Sequence, residues 1–478
     1  MTTTAAHAFL PPLLLEAAAA AAEPVLGVPG LRAAAGLQAD HPLIENASVL
    51  GLVVDVYRVV ERQLDALMVR RSEDRAFMDA GTRQCAHRNV GRGVEDGEYE
   101  TVIGQRDALG RVVVGPLDGT PAPPPVSVPD HLVGAQVTLF GPPDSIKMSI
   151  NAMNALHRRR PDEPALVAEL VADCGDVPRW GADSEDSKTP LARDLLSATE
   201  NLAGCLAGTL EYTDPRSGRR YRLADTGRSK PIKRIPGLAL PDGAHLLDGR
   251  PLPLHIVDVV QHVWLNRDRP EGRVLYVPKL ENEEEAAYLA SLLRAVEAAV
   301  RARHPRYPLE SVRVILVFEN PRAIFRIREM ATALAPFFLG GSLGWHDFLA
   351  STARLFRHDP NYRIPVKADP DIVIRNILES HHILVRDLGP SGALKIGGMY
   401  GVLFTDGDPA SFAVSMVGYI RDVVTQMKRG LDGFWVAHPD FVRIGIALVA
   451  AWRRSERDER DDTLQRLICA LVPDPVEQ

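Results

Sequence analysis

The sequence predicts an α/β protein built on a (β/α)8 TIM barrel, with a mainly helical N-terminal region and a truncated C-terminal tail. Three observations support this prediction. After residue 135, short apolar runs alternate with helical patterns over about 300 residues, which is typical of parallel βα units. The number of units fits a closed barrel better than an open sheet. Polar residues recur where the apolar runs end, which is where such barrels carry their functional side chains.

The apolar runs give the candidate strands, at residues 137–141, 179–186, 232–240, 274–281, 312–320, 337–347, 393–401 and 433–440. A further, weaker barrel strand is predicted within 361–367. The apolar spacing of 283–302 and 369–387 is typical of helices between strands. Residues 1 to about 75 are predicted to be helical, and 49–71 place apolar residues on one helix face and charged residues on the other.

The chain has 478 residues, which is enough for more than one domain. A Pro-rich connector at 116–130 indicates a boundary. We therefore predict an N-terminal helical and mixed region over 1–130, a TIM-barrel catalytic domain over 131–450 and a short helical tail over 451–478.

Composition excludes several classes of protein. The net charge is −7 and no basic tract is long enough to indicate nucleic-acid binding. No run approaches the roughly 18 apolar residues of a membrane span. The apolar N-terminus has no basic start and is interrupted by Pro11, Pro12 and Glu16, so we expect a helix and not a signal peptide. The four cysteines lie far apart without a CxxC pair, which favours a reducing, cytoplasmic compartment.

Charged residues follow the predicted strands at Asp183, Glu185, Asp186, Arg234, Lys279, Glu319 and Asp347. Carboxylates on neighbouring strand ends would bind one hard cation together with waters and a substrate oxygen. Mg²⁺ suits such a site, because it takes one or two protein carboxylates and keeps positions open for substrate. The alternative for any single acid is that it caps the helix that follows.

Seven segments follow one another along the chain: GPPDSIKMSINAMNAL (141–156), GADSEDS (181–187), RIPGLALP (234–241), YVPK (276–279), FEN…GWHDF (318–348), KIGGMYGVLF (395–404) and DGFWVAHPDF (432–441). Taken in this order, they resemble malate synthase, the Mg²⁺-dependent enzyme that condenses acetyl-CoA with glyoxylate. The resemblance covers roughly 130 to 470, and no single segment is decisive without the others.

The resemblance implies a set of roles. Glu319 and Asp347, 28 residues apart as in the family, would be the metal ligands. Asp183 and Glu185 would order metal-bound waters. Arg234 would bind the carboxylate of the oxo acid and stabilise negative charge on its carbonyl oxygen. The expected substrate contacts are Gly344, Trp345, His346 and the turn Gly397, Gly398 and Met399.

The sequence also departs from the family pattern. Pro236 replaces a family arginine, and Trp345-His346 changes a loop that in the family touches the oxo acid, so the expected acceptor is glyoxylate or a related acid. Residues 165–175 are predicted to form an added helix. The family's aspartate base lies in a C-terminal domain, whereas this chain ends at Gln478. The base would then be absent, supplied by another subunit of a homo-oligomer, or supplied by the tail, where the candidates are Asp458, Asp461 and Asp462.

Three functions follow as hypotheses. The first is a malate synthase-like, Mg²⁺-dependent Claisen condensation of an acyl-CoA with a 2-oxo acid, which gives a 2-hydroxy acid such as malate. The second is a lyase or aldolase acting on malyl-CoA or citramalyl-CoA on the same barrel. The third is a non-catalytic binding subunit.

Overall fold

The computed structural model describes residues 18–19, 21–82, 103–186, 191–357, 370–405 and 407–472. The strands, in chain order, are β1 (Ala22–Pro24), β2 (Leu31–Ala34), β3 (Gln136–Gly141), β4 (Arg179–Asp183), β5 (Glu211–Thr213), β6 (Arg220–Arg222), β7 (Lys230–Arg234), β8 (Pro241–Leu247), β9 (Arg250–Pro253), β10 (Val274–Val277), β11 (Arg313–Phe318), β12 (Phe338–Leu343), β13 (Leu394–Tyr400) and β14 (Gly433–Val436).

The α-helices are α1 (Leu37–Asp40), α2 (Ala47–Thr82), α3 (Ile146–Met153), α4 (Ala165–Cys174), α5 (Ala192–Ala207), α6 (Leu254–Leu265), α7 (Glu283–Arg303), α8 (Ile327–Ala333), α9 (Trp345–Leu355), α10 (Pro370–Leu388), α11 (Pro409–Lys428), α12 (Val442–Arg457) and α13 (Thr463–Leu471). Within the described ranges, no helix is long and apolar enough to cross a membrane.

Eight parallel strands close into a barrel in the order β3-β4-β7-β10-β11-β12-β13-β14. Each of these strands falls on one of the eight apolar runs, so the predicted TIM barrel is confirmed. The runs are recognisable because barrel strands are buried on both faces and are therefore almost continuously apolar. The weaker strand predicted within 361–367 lies outside the described residues.

The chain divides into two compact units. The first unit comprises residues 1–126, 235–268 and 277–393, and the second comprises 127–234, 269–276 and 394–478. The predicted boundaries at 130 and 450 remain predictions.

In the first unit, β11 and β12 pair in parallel, with Val317 opposite Ser342 and Phe318 opposite Leu343. The long helix α2 packs against α6 and α7. The strands β1, β2, β8 and β9 form a separate antiparallel sheet in the order β1-β2-β8-β9. Its strands β1 and β2 are short additions within the region predicted to be helical.

In the second unit, β13, β14, β3, β4, β7 and β10 pair in parallel. A buried apolar cluster that includes Val137, Val171, Tyr419, Phe434 and Phe441 packs helices against these strands. The helix predicted at 165–175 is confirmed as α4. It ends at Gly175, whose φ of 64° is the left-handed conformation that glycine adopts at helix ends.

Candidate active site

Glu319 follows strand β11 directly and is 2% exposed. Strand β11 is apolar from Val314 to Phe318, so a polar side chain reappears where the strand ends. The Oε1 atom of Glu319 accepts a hydrogen bond from the backbone N–H of Lys279 at 2.7 Å. A Cβ atom on Gly344 would lie 2.5 Å from Oε2 of Glu319, so only a glycine leaves room for this carboxylate.

Asp347 lies in the first turn of α9, whose N-cap residue is Gly344. Its side chain is 35% exposed, and Oδ1 lies 3.7 Å from Nζ of Lys279. Both predicted metal ligands therefore contact the same residue of the first unit, one through its backbone and one through its ammonium group. Residues 28 positions apart in the chain become neighbours because β12 returns beside β11.

Lys279 has an unusual backbone conformation, with φ at 59°. A non-glycine residue rarely occupies this left-handed region, because its Cβ crowds the backbone. The conformation is held in place, since Nη2 of Arg71 donates to the Lys279 carbonyl at 2.8 Å. Strain of this kind clusters at functional sites.

The chemistry of these donors fits Mg²⁺. Among the residues that the structure describes, no group of three or more histidine, cysteine, aspartate or glutamate side chains could hold a metal. Mg²⁺ does not require three such side chains, because it is commonly bound by one or two carboxylates and keeps several waters. Glu319 and Asp347 offer such a pair of oxygen donors, one buried and one accessible.

Arg234 ends strand β7 in the second unit and is 4% exposed. Its Nη2 atom donates to Oε2 of Glu185 and to Oδ2 of Asp186, both at 2.5 Å. Its Nη1 atom lies 3.6 Å from Oδ2 of Asp183. The parallel pairing of β4 with β7 sets Asp183 opposite Arg234, which explains why these residues meet.

Asp183 shapes the loop after β4. Its Oδ1 atom accepts the backbone N–H of Glu185 at 3.0 Å and that of Asp186 at 3.4 Å. These local bonds turn the chain so that the next two acids face Arg234. The predicted roles of Asp183 and Glu185 toward metal-bound water remain predictions.

Aromatic side chains lie beside Arg234. Its guanidinium carbon is 6.0 Å from the centroid of the Phe140 ring. The ring centroids of Phe140 and Trp435 are 4.1 Å apart. A Cβ atom on Gly181 would come within 2.6 Å of the Phe140 ring, which explains the glycine that opens GADSEDS. Burial raises the pKa of Tyr276, which lies 5.5 Å from Phe140.

The remaining predicted contacts fall in two places. Trp345 and His346 occupy the first turn of α9, with ring centroids 4.5 Å apart, and His346 is exposed. Residues 397–399 were predicted to form a turn, but they lie inside strand β13. A Cβ atom on Gly397 would come within 1.7 Å of Oε1 of Gln426, so packing against α11 accounts for this glycine.

The acids of the tail bond to their own segment. Asp458 accepts the N–H of Arg460 at 3.0 Å, and Asp461 accepts the N–H of Thr463 at 2.8 Å. Hydrogen bonds from the Thr463 hydroxyl and N–H lower the pKa of Asp461. Asp462 lies 3.8 Å from Arg466. The lowered pKa makes Asp461 a weaker base than an ordinary aspartate.

Sequence reasoning missed the residues that support Lys279. Arg71 of α2 bonds Glu285 through two hydrogen bonds of 2.8 and 2.9 Å, and both residues are buried. Burial pushes the pKa of Glu281 upward, but the guanidinium groups of Arg71 and Arg322 outweigh it, so that pKa is lowered. The available signal was a cluster of acids, 281–285, that follows YVPK.

Comparison with known proteins agrees with the resemblance. Residues 231–463 match the malate synthase TIM barrel domain. A malate synthase of Streptomyces clavuligerus is 26% identical over 416 residues, which cover 85% of this chain and 67% of that protein. A malate synthase of Oryza sativa subsp. japonica is 25% identical over 322 residues, or 66% of this chain and 52% of the rice protein. This chain therefore spans about half the length of several relatives it matches.

Two solved structures show a more distant likeness. A citrate lyase from Burkholderia xenovorans LB400 is 15% identical, with a TM-score of 0.41 and coverage of 71% of this chain and 91% of that chain. Haloferax volcanii malate synthase, in a ternary complex with pyruvate and acetyl-CoA, is 14% identical, with a TM-score of 0.41. The match covers 66% of this chain and 69% of that chain. Neither likeness is close enough to assign a ligand or a residue role. The predicted family resemblance is confirmed by the domain match and the curated relatives.

Proposed function

Since this chain carries the TIM barrel domain of the malate synthase family at residues 231–463, we propose that it is an enzyme that joins an acyl-CoA to a 2-oxo acid. The expected pair is acetyl-CoA and glyoxylate or a related acid, and the product is a 2-hydroxy acid such as malate. The observation that carries this proposal is that Glu319 and Asp347 both contact Lys279. Two oxygen ligands at one place suit Mg²⁺.

Glu319 and Asp347 are the proposed ligands of Mg²⁺. When bound, this cation supplies Lewis acidity that polarises the carbonyl group of the oxo acid. The burial of Glu319 and the hydrogen bond from the Lys279 N–H keep one carboxylate oriented. The greater exposure of Asp347 leaves that side open to water or substrate.

Arg234 is the proposed anchor of the oxo acid. A guanidinium group matches the planar geometry of a carboxylate and keeps its charge at any working pH. Glu185 and Asp186 hold Arg234 from one side through Nη2. The guanidinium carries five N–H donors in a fixed fork, so a substrate carboxylate competes with these acids for only some of them.

The proposed reaction balances as follows. A base takes one proton from the carbon next to the acyl-CoA thioester, and the resulting enolate carbon attacks the ketone or aldehyde carbon of the oxo acid. The former carbonyl oxygen gains a proton and becomes the 2-hydroxyl group. Water then cleaves the thioester, which releases the CoA thiol and forms the second carboxylate of the product.

A thiol-release assay tests the proposal. Purified protein receives Mg²⁺, acetyl-CoA and one acid at a time from a panel of 2-oxo acids that begins with glyoxylate. Glu319→Gln and Asp347→Asn remove the proposed ligands at little change in size. Glu379→Gln is the matched control, since this glutamate is exposed on α10. We expect thiol release with one acid, in the wild type and the control only.

The other outcomes separate the alternatives. Thiol release that persists in both ligand variants would overturn the proposed metal site. Absence of thiol with every acid would overturn the condensing, hydrolytic reaction. Cleavage of a malyl-type thioester under the same conditions would then identify a lyase. Metal binding without turnover in either direction would favour a non-catalytic binding subunit.

A further inference from the structure

The long helix α2 supplies Arg71, which lies far from the barrel strands in sequence. Arg71 donates a hydrogen bond to Lys279, the residue that contacts both proposed metal ligands. Arg71 is 6% exposed. Its Nη2 atom donates to the carbonyl of Lys279 at 2.8 Å. Its Nε and Nη2 atoms donate to Glu285 at 2.8 and 2.9 Å. One guanidinium therefore joins α2, the β10–α7 loop (residues 278–282) and the start of α7.

The β10–α7 loop is fixed at further points. The N–H of Glu281 donates to Oε2 of Glu285 at 2.7 Å. Nδ2 of Asn320, the residue after Glu319, donates to the Leu280 carbonyl at 3.0 Å. Glu285 itself is held because its N–H donates to Asn282, the N-cap of α7, at 3.0 Å. These bonds leave the loop little freedom to move away from Glu319.

A second contact from α2 reaches the loop after β11. Asp74, one helical turn beyond Arg71, accepts Nη2 of Arg322 at 2.5 Å, and both side chains are nine-tenths or more buried. Nη1 of Arg322 donates to Glu281 at 2.9 Å. Helix α2 thus bonds both loops that carry groups of the proposed metal site, the loop with Lys279 and the loop with Glu319.

We propose that Arg71 is a positioning residue for the metal site. By holding the Lys279 carbonyl and Glu285, Arg71 keeps Lys279 in its left-handed conformation, and in that conformation the Lys279 N–H points at Oε1 of Glu319. The inference rests on the proposed function, because it assumes that Glu319 binds a metal ion.

The test measures Mn²⁺ affinity by titration calorimetry and electron paramagnetic resonance, since Mn²⁺ occupies carboxylate sites of this kind and gives a signal independent of turnover. Partners of metal ligands typically change affinity by about 10–100-fold when removed. We therefore expect Arg71→Met to bind Mn²⁺ about tenfold or more weakly. Arg71→Lys, which keeps the charge but loses the planar fork of donors, should fall between this variant and the wild type.

A double variant separates positioning from folding. Arg71→Met leaves the Glu285 charge buried without its partner, which destabilises the fold. Arg71→Met combined with Glu285→Met removes both charges, and apolar replacement of a buried pair is often tolerated. If Arg71 were only structural, the double variant would recover Mn²⁺ affinity along with thermal stability. The proposal expects stability to recover and affinity to stay low.

The control is Arg70→Met on the same turn of α2, because Arg70 pairs with Glu73 of its own helix, at 3.5 Å. It should bind Mn²⁺ like the wild type. Wild-type affinity in the folded double variant would overturn the role of Arg71 and leave the proposed metal site intact. If the wild type bound no Mn²⁺, or Glu319→Gln bound it equally well, the proposed metal site would fall and the role of Arg71 with it.

Discussion

Gly344 lies so close to Glu319 that a Cβ atom on the glycine would fall 2.5 Å from Oε2 and 2.8 Å from the glutamate Cβ. The φ of Gly344 is −112°, which any residue adopts, so space and not backbone conformation requires the glycine. The absent side chain allows Glu319 to keep the position in which its Oε1 atom accepts the Lys279 N–H.

Gly344→Ala should therefore displace the Glu319 carboxylate and weaken Mn²⁺ binding by roughly tenfold or more, the scale seen when groups around a metal ligand are disturbed. Calorimetric titration of the folded variant measures the change. Gly389→Ala serves as the control, because nothing lies within 4 Å of a Cβ atom built there. Equal Mn²⁺ affinity in the two variants would exclude a ligand role for Glu319 in its present position.

Arg234→Lys should impair use of the oxo acid more than use of the acyl-CoA. A lysine keeps the charge but loses the planar fork, and it cannot hold Glu185, Asp186 and a substrate carboxylate together. A charged hydrogen bond contributes about 1.5–3 kcal/mol, so the KM for the oxo acid should rise roughly 10–100-fold. Steady-state kinetics with each substrate varied in turn measures the effect.

Arg454→Lys is the matched control for this variant, since Arg454 pairs with Asp173 at a partly exposed position of the same unit. Its KM values should equal those of the wild type. An increase confined to the KM for the acyl-CoA in Arg234→Lys would assign Arg234 to the acyl donor instead.

The barrel could be predicted from the sequence because its strands are buried on both faces. Runs such as RVILVF and VLYV leave little ambiguity, and a polar residue then marks the point at which each strand ends. Glu319 directly follows its strand, as this rule expects. Asp347 was predicted from the same rule and from the family spacing, but it lies in the first turn of α9 and not at the end of β12. Strands β1 and β2 could not be found in the same way, because they have only three and four residues and three of these seven positions are exposed.

The support from α2 was not predictable for a different physical reason. Charged residues on a helix face are normally solvated, so Arg71 and Asp74 looked like an ordinary outer surface. Their partners Glu285 and Arg322 lie 214 and 248 positions away in the chain. The packing of α2 against α7 brings Arg71 to Glu285, and the loop after β11 brings Arg322 to Asp74.

The buried His245 should make stability depend on pH. It lies in β8, where its Nδ1 atom is 2.6 Å from Oδ2 of Asp242 and its Nε2 atom is 2.8 Å from Oε2 of Glu45. Burial alone would lower the pKa of His245, but the two carboxylates outweigh it and raise that pKa well above its ordinary value. The folded protein therefore holds this proton more tightly than the unfolded chain does.

A histidine whose pKa is raised by folding stabilises the folded state. This contribution is fully present below the pKa of the unfolded chain, near 6.5, and is lost as the pH rises through the pKa in the folded protein. The free energy of unfolding of the wild type should exceed that of His245→Gln most at pH 6, and the difference should shrink steadily toward pH 10. Urea unfolding at several pH values measures it. The partly exposed His304, substituted in the same way, is the control. A constant difference across this range would show that His245 is not charged in the fold.

The left-handed conformation of Lys279 gives a stability prediction that does not depend on any metal. Lys279→Gly and Lys279→Ala both remove the ammonium group near Asp347 and both keep the N–H that bonds Glu319. They differ in backbone tolerance, since an L residue at a φ of 59° costs about 1 kcal/mol or more that glycine avoids.

The free energy of unfolding of Lys279→Gly should therefore be about 1 kcal/mol higher than that of Lys279→Ala, because the strain is present only in the folded alanine variant. The same pair of substitutions at Arg294, in the middle of α7, provides the control with the opposite sign, because glycine destabilises a helix interior relative to alanine. If alanine were also the more stable residue at 279, the loop would have relaxed away from its left-handed conformation. The hydrogen bond from the N–H of residue 279 to Glu319 would then not require the left-handed conformation.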